Sequence, residues 1–316
     1  MTRLLVTRPL TARAMAAISD DFDATFHTGG ALSRDEASRA LRDFDAILPT
    51  LGDDFSAEAF AGELRCRILA NFGAGFNHID LQAARAAGVA VTNTPHVVTE
   101  STADIAMMLI LMVARRASQG ESMLRAGKWP GWEPTQLLGR HVSGATVGII
   151  GMGRIGKAIA RRCHHGFGMR VIFHNRSNVS ALDIPAQQMP GLTETLQLAD
   201  FAVIAVPGGA GTRHLIGEAE LRALGPDGYL INIARGDVVD EAALIRALSE
   251  GTIRGAGLDV YEHEPHVPQA LMDQPNATLL PHLGTATEQA RTDMALRALD
   301  NLRAFRDGQN LPDCVN

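Results

Sequence analysis

The chain has 316 residues, 46% hydrophobic and 20% charged, with a net charge of −6. This length sets an expectation of two domains, and the composition excludes a disordered chain. The negative balance leaves no basic surface for nucleic acid or an anionic membrane, and Cys66, Cys163 and Cys314 are too scattered for a disulfide framework or a zinc site.

Residues 3–7 read as a short strand. They lack the apolar region and small-residue cleavage site of a signal peptide. The longest apolar run, 105–114, is about half the length a bilayer requires. It is flanked by Asp104 and Arg115, as a core helix would be. The expected compartment is the cytoplasm. Further strands are predicted at 46–50, 67–71 and 89–93. One helix begins after Ser33, where Glu36 completes a capping box. Another follows Asp80 and stops at Gly88. This alternation predicts a parallel sheet covered by helices on both faces. One long helix is expected over 101–126, and a second βαβα series runs from 145 to about 281. The chain closes with an amphipathic helix over 287–307. The fold class is therefore α/β, and the two series predict two related domains.

Between a strand at 145–150 and a helix through 157–163 lies Gly151-Met152-Gly153-Arg154-Ile155-Gly156. A bare GxGxxG is a weak signal, but a buried strand before it and a helix after it are the context of a dinucleotide site. Gly151 permits the tight turn, Gly153 lets pyrophosphate approach the backbone, and Gly156 lets helix pack on strand. The helix N-terminus offers free N–H groups to phosphate. The next strand, 170–173, leads to His174-Asn175-Arg176-Ser177. An acidic residue about 20 positions after the glycines holds the ribose 2′-OH in NAD-specific sites. Asn175, 19 residues after Gly156, is neutral there. Arg176 could pair with a 2′-phosphate and Ser177 could donate to it, which favours NADPH over NADH. The plain alternative makes Arg176 a solvated loop residue.

Three segments stand where strands end: 231–241 with Arg235, 257–265 with Asp259 and Glu264, and 281–284 with His282. Singly, each of these side chains is an ordinary surface residue. Together they supply what carbonyl reduction needs: a guanidinium to grip a carboxylate, an imidazole to deliver a proton, and a carboxylate to orient that imidazole.

With these residues in place, the chain resembles the D-isomer-specific 2-hydroxyacid dehydrogenases along essentially its whole length. The carriers are Ala234-Arg235-Gly236-x-Val238-Val239-Asp240-Glu241, Glu264-Pro265 and Pro281-His282-x-Gly284. A finer resemblance, to the glyoxylate/hydroxypyruvate reductase branch, rests on Thr92 to Pro95, Thr99 to Asp104 and Gly127-Lys128-Trp129-Pro130-Gly131-Trp132-Glu133-Pro134.

The resemblance implies two Rossmann-like, doubly wound domains separated by a cleft. A flavodoxin-like substrate domain would be built from 1–96 and 286–316, and an NAD(P)-binding domain with a dimerisation arm from 97–285. Small 2-keto acids such as glyoxylate or hydroxypyruvate would be reduced to D-2-hydroxy acids. Arg235 would bind substrate, with His282 and Glu264 as the proton-donor pair. The amides of Ala74 and Gly75 would hold the carboxylate, with Leu51 and Trp132 shaping the pocket. Cofactor contacts would come from Thr102, Gly151, Gly153, Arg154, Ile155, Gly156, Asn175, Arg176, Ser177, Val206, Pro207, Thr212, Ile233, Ala234, Asp259, His282 and Gly284. A homodimer is implied, with Trp132 either reaching toward the neighbouring subunit's substrate site or serving as an interface aromatic.

One departure is Pro207-Gly208-Gly209-Ala210-Gly211-Thr212, whose glycines predict a poorly defined cofactor-facing loop. His164, His165 and His174 match no family role and read as surface residues, with no metal spacing. Two rivals remain. A dinucleotide-sensing regulatory protein of the corepressor kind would bind cofactor but turn over slowly. A relative oxidising another small anion, such as formate or phosphite, is opposed for formate by Glu264, where formate dehydrogenases carry glutamine.

Overall fold

The computed structural model describes residues 2–180 and 182–316. The chain divides into two compact units, Met1–Val98 with Thr285–Asn316, and Thr99–Gly284.

In the first unit, β1 (Arg3–Val6), β2 (Asp23–Phe26), β3 (Ala46–Leu48), β4 (Ile68–Ala70) and β5 (Ala90–Thr92) form a parallel sheet in the order β2-β1-β3-β4-β5. Alternate residues serve opposite faces. Leu5, Ile47, Leu69 and Val91 enter one apolar cluster, whereas Leu4, Val6, Leu48 and Ile68 enter another with Leu299 and Leu302 of the last helix, Glu288–Arg306. Helix Arg34–Asp43 carries the predicted capping box, the Ser33 N–H donating to Glu36 at 2.8 Å.

The second unit holds seven parallel strands: β6 (Thr146–Ile150), β7 (Arg170–His174), β8 (Ala186–Gln188), β9 (Phe201–Ile204), β10 (Tyr229–Asn232), β11 (Gly255–Leu258) and β12 (Ala277–Leu279), in the order β12-β11-β10-β9-β6-β7-β8. Val147, Ile149, Phe201, Val203 and Ile231 pack on one face; Ile150, Ala202, Ile204 and Leu230 pack on the other. Both faces are thus buried, which explains why these strands read as continuous apolar runs. The order reverses between β6 and β9, and the crevice beyond the carboxyl ends at such a reversal is where ligands bind in open α/β sheets.

The single helix expected over 101–126 is two, Thr99–Ala114 and Ala117–Arg125. Arg116 adopts a left-handed conformation, φ 54°, between them. The Ala114 carbonyl accepts the N–H of Arg140 at 2.8 Å instead of continuing the helical ladder. No Gly or Pro marks this break in the sequence.

Candidate active site

Gly151 follows β6 at φ +100°, and a Cβ there would lie 2.7 Å from the Ala205 carbonyl oxygen after β9. A Cβ on Gly156 would collide with the Gly151 carbonyl, so only glycine lets the helix approach the strand. A Cβ on Gly153 would meet nothing within 4 Å, leaving the backbone open from outside. Gly153 caps helix Arg154–Phe167 with no side-chain acceptor. The leading N–H groups, of Arg154 and Ile155 among others, therefore lack helical partners and offer donors and a favourable dipole to phosphate. These features fit a dinucleotide pyrophosphate.

Past β7, the Asn175 side chain bridges two segments. Its Oδ1 accepts the Met152 N–H at 3.3 Å, and its Nδ2 donates to the Ser177 carbonyl and Oγ at 3.0 and 3.1 Å. Arg176 and Ser177 are exposed. His174 is not the surface residue expected: it is half-buried with Nδ1 enclosed and unpartnered. His164 and His165 meet edge to face at 5.0 Å, with His165 exposed. After β9, the glycine-rich stretch beyond Val206 and Pro207 is an ordered turn, contrary to expectation. Thr212 Oγ1 donates to the Pro207 carbonyl at 2.7 Å and caps Gly209 at 3.2 Å.

The adjacent strands β10, β11 and β12 deliver Arg235, Glu264 and His282 beyond their carboxyl ends. Ile233 and Ala234 are buried just ahead of Arg235. The Arg235 carbonyl accepts Asn232 Nδ2 at 2.9 Å, and Asn232 Oδ1 accepts the Ala234 N–H at 3.0 Å. Burial lowers the Arg235 pKa from its ordinary value, against the pull of Glu264 and Asp237; a guanidinium nonetheless keeps its charge. Glu264 Oε2 meets His282 Nδ1 at 2.7 Å, the side chains being 28% and 29% exposed. Its Oε1 accepts the Tyr261 N–H at 3.0 Å. Burial alone would raise the Glu264 carboxyl, but His282, the Tyr261 amide and Arg235 outweigh it and hold the carboxyl below its usual range.

His282 itself is left-handed, φ 53°, a conformation uncommon outside glycine. Asp259 holds the two residues that follow His282: Oδ1 and Oδ2 accept the N–H groups of Leu283 and Gly284 at 2.6 and 2.8 Å. Burial raises the Asp259 carboxyl, opposed by those amides and His282. Thr102 Oγ1 donates to the Gly284 carbonyl at 3.2 Å, and Tyr261 Oη to the Leu280 carbonyl at 2.9 Å, so both shoulders of the histidine loop are fixed.

Leu51, Ala74 and Gly75 belong to the first unit. Leu51 is 45% exposed, in a turn whose Thr50 N–H donates to Asp53 Oδ2 at 2.8 Å. In the loop after β4, Asn71 Nδ2 donates to the Gly73 and Gly75 carbonyls, each at 3.0 Å, and Asn93 Nδ2 to the Ala74 carbonyl at 2.8 Å. These bonds engage the carbonyls of Gly73, Ala74 and Gly75 with the two asparagines. Trp132 is 79% exposed in the loop after helix Ala117–Arg125. Among the described residues no cluster of three or more His, Cys, Asp and Glu could hold a metal ion, and no helix is long and apolar enough to cross a membrane.

Residues 107–284 match the model of the D-isomer specific 2-hydroxyacid dehydrogenase, NAD binding domain. A glyoxylate reductase of Thermococcus onnurineus is 40% identical over 99% of this chain and 96% of its own length. The chain belongs to the D-isomer specific 2-hydroxyacid dehydrogenase family. A glycerate dehydrogenase of Hyphomicrobium methylovorum is 36% identical over 98% of this chain and 97% of its own. The structure of an NADPH-dependent glyoxylate/hydroxypyruvate reductase from Sinorhizobium meliloti, in complex with NADP and malonate, superimposes with a TM-score of 0.88 at 37% identity, covering 99% of this chain and 96% of that one. As a member of the 2-hydroxyacid dehydrogenase family, the protein is an oxidoreductase that uses a nicotinamide dinucleotide.

Several residues that build this dehydrogenase site carry no role in the sequence reading. Gly236 is the plainest. A Cβ there would collide with the Tyr261 carbonyl carbon and the Glu262 nitrogen, so the Arg235 loop lies directly on the peptide leading to Glu264. Glu241 Oε2 accepts the Glu262 N–H at 3.3 Å. A glycine following a catalytic-looking arginine was a usable signal; the tertiary partners of Glu241, Asn71 and Asn93 were not visible without the fold.

Proposed function

We propose that this protein reduces small 2-keto acids, glyoxylate and hydroxypyruvate among them, to D-2-hydroxy acids, and that it takes NADPH in preference to NADH. The observation that carries the reading is the pairing of Glu264 with His282 on the sheet edge that also presents Arg235.

A nicotinamide dinucleotide would supply the hydride. Gly151, Gly153 and the leading amides of helix Arg154–Phe167 would hold its pyrophosphate, and Arg176 with Ser177 would take the 2′-phosphate. The guanidinium of Arg235 grips the substrate carboxylate and polarises the neighbouring carbonyl. Its partial burial strengthens that interaction by excluding water. In the first unit, the amides of Ala74 and Gly75 are the groups on offer to an anion. Glu264 receives the Nδ1 proton of His282 in a hydrogen bond, which leaves the Nε2 proton for the oxygen that becomes the product hydroxyl. Asp259 holds the Leu283 and Gly284 amides beside the histidine.

The enzyme works as a homodimer. Exposed Leu124, Trp129, Trp132 and Leu138 along the arm, and the apolar groove of Met107, Met108, Leu111, Met112 and Phe167, support that assembly. Sedimentation velocity yielding only monomer would contradict it. The test of the chemistry is chiral chromatography after incubation with hydroxypyruvate and NADPH. D-glycerate is expected; L-glycerate, or no product, would overturn the reading.

A further inference from the structure

The exposed turn after β7 gains its shape from a residue on the neighbouring edge strand. Gln188 closes β8 and lies in register with Phe173 of β7. Its side chain extends past the end of β7 and makes three hydrogen bonds to the turn. Nε2 donates to the carbonyls of Asn175 and Ser177 at 3.3 and 3.0 Å, and Oε1 accepts the Val179 N–H at 3.0 Å. Asn175 completes the brace from within, tying the turn to Met152 of the glycine motif. The two amide side chains therefore occupy the inward-facing groups of 175–179. What remains outward is Arg176, exposed and without an ion-pair partner among the described residues, and the Ser177 hydroxyl. That hydroxyl accepts from Asn175 Nδ2 at 3.1 Å and so keeps its own proton for another acceptor.

We infer that Gln188 is a positioning residue for cofactor choice: with Asn175 it holds the turn 175–179 in the form that presents Arg176 and Ser177 to the 2′-phosphate of NADPH. The inference rests on the proposed preference for NADPH. The physical argument is preorganisation. A short exposed turn of polar residues would otherwise be ordered only on binding, at the expense of affinity. Gln188 meets that ordering requirement within the fold and touches neither the pyrophosphate turn nor the residues Arg235, Glu264 and His282. Its loss should therefore penalise the cofactor that uses the turn and spare the one that does not.

The test is equilibrium titration of NADPH and NADH, followed by nucleotide fluorescence, into wild type, Arg176→Ala, Gln188→Met and Gln188→Asn. Gln188→Met keeps the length of the side chain without its amide; Gln188→Asn keeps the amide without its reach. For both, NADPH should bind about tenfold more weakly, the scale of losing hydrogen bonds that order a charged contact. NADH affinity should stay within about twofold, and kcat at saturating NADPH should be unchanged. Gln188→Glu, which puts a carboxylate beneath the turn, should lose more NADPH affinity than either. A preference lost in Arg176→Ala but retained in both amide variants overturns the role of Gln188 while leaving the cofactor reading intact. Parallel loss of NADPH and NADH affinity overturns it too, by reducing Gln188 to general support of the domain. Wild type that binds NADH as tightly as NADPH overturns the cofactor reading and this inference with it.

Discussion

Glu264 divides its carboxylate between two tasks: Oε2 holds His282 Nδ1 at 2.7 Å while Oε1 accepts the Tyr261 N–H at 3.0 Å. The residue that orients the histidine is thus itself locked to its own turn. If His282 delivers the proton, His282→Ala lowers kcat by about 10²–10⁴-fold. Glu264→Gln keeps a polar partner but no charge, and falls between that variant and wild type. Steady-state rates with hydroxypyruvate check both.

The lowered pKa of Glu264 has a consequence for stability. A carboxyl whose folded pKa lies below its unfolded one binds fewer protons folded than unfolded at mildly acidic pH, so stability falls as pH falls. Its contribution is complete above the unfolded value, about 4.3, and disappears as pH drops through the lower folded value. The part of the Tm difference between wild type and Glu264→Gln that comes from this carboxyl should shrink as pH falls below about 4. Thermal melts across that range test this; a difference that grows on acidification would contradict the sign.

In the first unit, the carbonyl of Ala74 accepts Asn93 Nδ2 at 2.8 Å. If the amides of Ala74 and Gly75 hold the substrate carboxylate, Asn93→Ala loosens that anion site. KM for glyoxylate should rise by about tenfold, the loss of one charge-assisted contact, while NADPH affinity is unchanged. Equal losses in both would assign Asn93 to folding alone.

Gly236 is packed against the Tyr261–Glu262 peptide with no room for a methyl group. Gly236→Ala must separate the Arg235 loop from the Glu264 turn. Such overpacking costs about 1–3 kcal/mol, so Tm falls by several degrees, and the residual folded protein shows a reduced kcat. A variant with wild-type Tm and kcat would show that the two loops are not coupled.

The central strands were legible because they are buried on both faces: Val147 to Ile150 and Phe201 to Ile204 have no exposed position to interrupt the apolar pattern. The edge strands Asp23–Phe26 and Ala186–Gln188 were not, since they alternate half-exposed and exposed residues and carry little apolar signal. The break between Ala114 and Ala117 was hidden for another reason. It is imposed by the distant N–H of Arg140, not by local propensity. The same division holds for the candidate site. Arg235, Glu264 and His282 were marked by residue type beside strand ends, and Gly236 by following Arg235, whereas the contacts of Gln188 and Asn93 exist only in the folded chain. The ordered turn at Thr212 falls in this second group, because its Oγ1 bond to Pro207 defines a loop whose glycines signalled the opposite.

The most direct test of the account is the initial rate of NADPH and NADH oxidation with glyoxylate, hydroxypyruvate, pyruvate, phenylpyruvate and 2-ketogluconate. The account predicts rapid oxidation with glyoxylate or hydroxypyruvate and a higher kcat/KM for NADPH than for NADH. No oxidation of either cofactor with any of the five, by protein that binds NADPH, would contradict the proposed reduction and favour a dinucleotide-sensing role.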